Sequence, residues 1–170
     1  MKKSIAITLI CTAIFTTYFT HAQKKTQTLK ADFEKACGIW KGTLTYLDYS
    51  SGKPYSMSAD LEVKRKDTSN EFLFIYTYPK EKSANTKQTI IISEDEKYIG
   101  KEQIESRKDL PDGSVQIVTQ KSGKDGNDNK DALIKQIYTI GKTSFSIRKE
   151  VLFSDDNKWI KRHEYVFTRS

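Results

Sequence analysis

Helix-forming sequence is scarce in this chain, and cysteine and histidine are scarcer still. Only residues 29–36 read as helix, with Thr28 as N-cap, Leu29, Phe33 and Ala36 or Cys37 at helical spacing, and Gly38 as the stop. A mainly helical fold is thereby excluded. Of the two cysteines, Cys11 lies in an N-terminal apolar run that reads as a leader, so Cys37 is the one thiol expected in the mature chain. An internal disulfide is then impossible, and a hydrophobic core must hold the domain together. Cys37 itself reads as a small buried apolar group.

Histidine is equally limiting, since His163 alone remains once His21 leaves with the leader. A zinc site needs three or four ligands, and no His/Cys cluster supplies them. Haem would need His163 or a tyrosine as axial ligand, and nothing else in the chain points to it. A Gly-x-Ser-x-Gly elbow, a phosphate loop and a paired acid and base are also missing. No catalytic residue, metal ligand or cofactor is assigned. The pair an enzyme could use is His163 with Asp48, across the barrel mouth. Residues 125–131 place acidic or amide side chains at alternate positions, as a calcium loop does. Lys130 stands where that loop needs Gly and Gln136 where it needs Glu, so the stretch reads as a plain turn.

The leader is the clearest address. Lys2 and Lys3 precede an apolar run over residues 5–19, and Thr20-His21-Ala22 offers small residues at the two positions that a signal peptidase reads. The run is short for a bilayer about 30 Å thick. Residues 1–22 are therefore expected to be a signal peptide cut after Ala22, leaving residues 23–170 as a single secreted or periplasmic domain that does not span a membrane. Without Lys2 and Lys3 the net charge falls from +7 to +5. Its cations are scattered among acids and hydroxyls, densest at Lys64-Arg65-Lys66. That surface suits solubility, or an anionic envelope component; no aromatic-basic motif suggests nucleic acid.

Alternation dominates the remainder. Trp40, Gly42, Leu44 and Tyr46 share one face of a strand, opposite Lys41, Thr43 and Thr45. Tyr55, Met57, Ala59, Leu61 and Val63 repeat the pattern in the next run, which marks an antiparallel sheet with one wet face. Residues 71–79 are apolar on both faces, which predicts a covering helix on the outside. Further runs fall at 88–93, 97–104, 115–121, 132–140, 143–154 and 159–169, with a long polar loop at 122–131 and a two-residue turn at Gly141-Lys142. Nine short strands joined by short turns predict a sandwich or a barrel.

Gly38-Ile39-Trp40, after a short helix and at the head of a strand meander, resembles the opening of the calycin superfamily, whose best-known members are lipocalins. The resemblance implies an all-β fold: an antiparallel up-and-down barrel of eight to ten strands with one short N-terminal helix. It also implies a basic residue, late in the last strand, packed over the Trp ring. Gly38, Trp40 and Arg169 match these elements; Arg162 has the opposite parity.

With Trp40 inside, parity sends a large aromatic set inward. Tyr46, Asp48, Met57, Phe74, Tyr76, Tyr138, His163 and Tyr165 are the candidate lining of a ligand site. Such a lining suits a small hydrophobic or amphiphilic molecule, although a barrel of this size can equally be filled by its own side chains. The competing expectation is a non-catalytic envelope module that recognises an anionic glycan or a protein through its surface.

Overall fold

The computed structural model describes residues 28–48 and 51–169, and the expected leader lies outside the described residues. Helix α1 (Leu29–Lys35) leads into β1 (Gly38–Leu47), β2 (Pro54–Arg65) and β3 (Glu71–Thr77). A 3-10 turn (Lys82–Ala84) precedes β4 (Thr86–Ile91), β5 (Tyr98–Ile99) and β6 (Glu102–Asp109). The rest is β7 (Val115–Asp125), β8 (Lys130–Ile140), β9 (Ser144–Phe153) and β10 (Ile160–Thr168). All ten strands form one antiparallel sheet in the order β4-β3-β2-β1-β10-β9-β8-β7-β6-β5. The β1–β10 ladder joins the two chain ends through Gly42↔Phe167 and Leu44↔Tyr165. On the opposite side, the sheet meets itself at a bridge between Ile92 and Ile99, flanked by Ser93 N–H to Tyr98 C=O and Gly100 N–H to Ile91 C=O. The result is a nearly closed up-and-down barrel, compatible with a calycin-like fold.

Residues fix these elements locally. Thr28 is extended (φ −85°, ψ 155°) and its Oγ1 accepts the Ala31 N–H at 3.2 Å, capping α1. Gly38 follows at φ +123°, a conformation that favours glycine, and turns the chain into β1. Gly42 serves a different need: a Cβ there would lie 2.1 Å from the Val166 carbonyl oxygen, so only glycine admits β10 this close.

Three expectations are corrected. The run at 97–104 is broken by Gly100 (φ +59°) into β5 and β6, and β6 continues to Asp109. The long loop at 122–131 is a hairpin, since β7 and β8 pair as far as Asp125↔Lys130. Its side chains are polar on both faces, so alternation could not reveal it. Helix α1 also does not cover β3 from outside. Phe33 enters the barrel end instead, with ring centroids 5.7 Å from Phe72, 6.4 Å from Phe74 and 5.3 Å from Tyr138.

One barrel end is sealed. Trp40 is 0% exposed; its Nε1 donates to Ala36 C=O at 2.7 Å, and its ring meets Phe145 edge-on at 5.6 Å. The Arg169 guanidinium lies 4.1 Å from the indole centroid. Arg169 also donates to three carbonyls: Cys37 (2.7 Å), Lys35 (2.8 Å) and Lys142 (3.0 Å). One side chain thus ties the end of α1, the β8–β9 turn and the last strand together. Asp32 of α1, fully buried, takes a two-pronged ion pair from Arg107 of β6 at 2.6 and 3.1 Å.

Candidate functional site

Sealing one end leaves the chemistry to the other. Four inward rows change character in the same direction, away from Trp40. On β3 the row reads Phe72, Phe74, Tyr76, and on β4 Ile90, Gln88, Thr86. On β8 it reads Ile140, Tyr138, Gln136, and on β10 Phe167, Tyr165, His163. The apolar ends pack as core. The polar ends surround a cavity of about 160 Å³ lined by Tyr76, Thr86, Gln88, Ile90, Gln136, Tyr138, Ile147, His163 and Tyr165.

Its walls are aromatic and uncharged. The Tyr76 and Tyr165 rings lie 5.1 Å apart, and His163 meets Tyr165 edge-on at 5.6 Å. The hydroxyls of Tyr78 and Tyr165 are 2.8 Å apart. Burial pushes the phenols of Tyr76, Tyr138 and Tyr165 well above their ordinary range, so all three stay protonated. Burial, followed by the charge of Lys149, lowers His163 to about 4, with Asp125 opposing and Arg162 assisting. The imidazole is therefore neutral at neutral pH. The amide oxygen of Gln136 is buried and meets no hydrogen-bond partner among the described residues.

A shift in the β10 register between Lys161 and His163 decides what lies beyond this cavity. It turns Arg162 and His163 to the same side of the strand, against the parity of the sequence. Arg162 Nε bonds Asp125 at 3.0 Å, and Lys149 bonds the other oxygen of the same carboxylate. These residues, with Tyr46, Leu47, Asp48, Asn127 and His163, line an adjoining shallower pocket of about 470 Å³. His163 belongs to both spaces. A third depression of about 670 Å³ runs along β7–β9 beside Leu133, Leu152 and Phe153, with Ser122, Lys124, Asp131, Ser154 and Asp156 around it.

The candidate lining is thus divided. Tyr76, Tyr138, His163 and Tyr165 converge on the inner cavity, while Asp48 falls in the outer pocket. Tyr46 is 36% exposed at the rim, against the exposed Tyr55 at 5.5 Å, because β1 reaches the mouth there. Phe74 is wholly buried among Phe33, Tyr76 and Phe145 and is not part of the inner cavity's lining. Met57 packs against the core from one side and borders an outer groove beside Tyr55 and Lys80. Gln136, Gln88 and Thr86 were missed by the aromatic criterion. A signal existed for Gln136, a lone amide in the inward row Ile134, Gln136, Tyr138, Ile140.

In the 125–131 stretch Asp125 holds Lys149 and Arg162, and Asp131 pairs with Lys124 at 3.0 Å. Among the described residues no group of three or more His, Cys, Asp or Glu side chains is placed to hold a metal ion. The basic run is matched residue by residue, Lys64 by Glu62, Arg65 by Glu34 and Lys66 by Glu71. No protein-family model matches the chain, and no curated protein does. Geometry alone carries the functional reading. No helix among the described residues is long and apolar enough to cross a membrane.

Proposed function

We propose that this protein is an exported calycin-type barrel that holds a small amphiphilic molecule at its open end. The observation that carries the reading is the 160 Å³ cavity, where four strand rows bring hydroxyls, amides and a neutral imidazole together over an apolar floor. Small-molecule sites have this composition, mostly apolar walls with a few converging polar groups. The guanidinium over Trp40 supports the calycin assignment, and the residues at 1–22 support export. The opposite end is plugged by Phe33 and Trp40, so a ligand enters and leaves on the tyrosine side.

Native mass spectrometry of protein purified from its own cells tests the proposal. The expected result is a mature chain beginning at Gln23 with a non-covalent adduct of small mass. A bare mass from gentle ionisation, together with no spectral change at Tyr76, Tyr138 or His163 on adding small aromatic or aliphatic compounds, would rule the binding function out.

A further inference from the structure

Resting on that binding function, we infer that the ligand is an uncharged molecule of about one six-membered ring whose hydroxyl group hydrogen-bonds the side chain of Gln136. Three independent observations converge on this chemistry. The first is the orphaned amide. Gln136 sits in an inward row whose other members, Ile134, Tyr138 and Ile140, are all at least nine-tenths buried, and it lines the cavity with its Oε1 buried and unmatched. A buried acceptor without a donor is costly, so such a group is retained where something supplies the missing bond. A hydroxyl suits the amide in either of its orientations, because it donates to the oxygen and accepts from the nitrogen.

Size is the second. A space of about 160 Å³ is close to the roughly 150 Å³ that admits benzene in an engineered protein cavity. A fused-ring system or a long acyl chain would have to extend past His163 into the outer pocket. The flanking Tyr76, Tyr165 and His163 rings offer faces and edges against which a planar ring packs.

Charge is the third. The cavity's own titratable groups, three phenols and one imidazole, are all neutral at neutral pH. In the outer pocket Lys149 and Arg162 share the carboxylate of Asp125, and on the other side Glu102, which acts on Tyr138 and accepts from Thr119 beside Gln136, is paired with Lys121 at 2.9 Å. Asp48 also lines the outer pocket. Three cations facing three carboxylates leave no net charge to hold an ionised head group. An anionic or cationic ring would lose its hydration on entry without gaining a counter-charge.

Titrating the purified protein with phenol, toluene and benzoate, followed by amide chemical shifts and calorimetry, separates the inference from the function beneath it. Phenol is expected to bind about tenfold more tightly than either of the others, the scale of one hydrogen bond to a buried group. Gln136→Leu, similar in size and without the amide, should bring phenol and toluene to equal affinity. Equal binding of phenol and toluene by the unmodified protein would overturn the hydroxyl assignment and leave the binding function standing. Tighter binding of benzoate would overturn the uncharged ligand. No shift at Gln136, Tyr138 or His163 with any of the three would overturn the single-ring ligand, and an adduct retained in native mass spectrometry would then keep the binding function. The comparison of the three probes on the unmodified protein needs no variant, so a Gln136→Leu chain that fails to fold does not spoil the test.

Discussion

Arg169 shows how much one side chain can hold. A cation over an indole contributes about 0.5–2 kcal/mol, and three charge-assisted bonds to backbone carbonyls add to it. Arg169→Met should cost about 2–4 kcal/mol in urea unfolding. Arg169→Lys should recover only part of this, because an ammonium cannot reach three carbonyls in a plane. A loss under 1 kcal/mol would show that the end strands are held by other contacts. His163 makes a prediction in pH. Its folded value of about 4 lies below the ordinary 6.5. Between those values the unfolded chain takes up a proton that the native ring refuses. The contribution is complete above about pH 6.5 and is lost as pH falls toward 4. The full interval corresponds to about 3 kcal/mol, and partial solvent access reduces the expected loss to about 1–2 kcal/mol. The stability difference between the protein and His163→Gln should change by that amount between pH 7 and pH 4.5. A constant difference would mean that the ring titrates normally. Parity placed His163 inward correctly, but it could not place Arg162 beside it, because a bulge shifts the register without any mark in the pattern of polar and apolar residues.

At the scale of elements, α1 is too short to be stable alone. It persists because Phe33 is packed inside the barrel and Asp32 is locked to Arg107. Arg107→Met would leave a wholly buried carboxylate facing Lys35 at 3.3 Å, and should cost about 3 kcal/mol. Replacing both partners, Asp32→Leu with Arg107→Met, should restore most of that loss, since a buried pair is often matched by apolar residues of similar volume. Additive losses in chemical denaturation would show that the pair is worth more than its burial costs. The helix was legible from Thr28, its apolar spacing and Gly38. Its position inside the barrel end was not, because β3 is apolar on both faces and the pattern cannot say which face the helix meets. The β7–β8 hairpin was hidden for the opposite reason. Both of its faces are polar over 121–125, and even Asp125, its side chain buried under Lys149 and Arg162, adds no apolar residue to mark the alternation.

At the scale of the molecule, the barrel has a strong seam and a weak one. The β1–β10 ladder runs from Lys41↔Thr168 to Tyr46↔His163, whereas β4 and β5 meet through the Ile92–Ile99 bridge and the bonds beside it. β4 has a ladder partner on one side, β3. Amide hydrogen exchange should therefore be faster across β4 and β5 than in β8, which is paired along its length by β7 and β9. Equal protection across all ten strands would indicate that the barrel opens only as a whole. The calycin resemblance supplied the basic partner near the last strand; composition and alternation were enough to establish an all-β chain and an indole at the head of its first strand. Those features follow from local rules, in which each side chain's face is set by its neighbours two positions away. The cavity arose otherwise. Tyr76, Gln136 and His163 lie on strands distant in the chain, and the end of the barrel at which their polar groups meet depends on register and closure. Whether an inward aromatic becomes core or lining turned on where α1 inserted Phe33, a packing outcome that no stretch of neighbouring residues encodes.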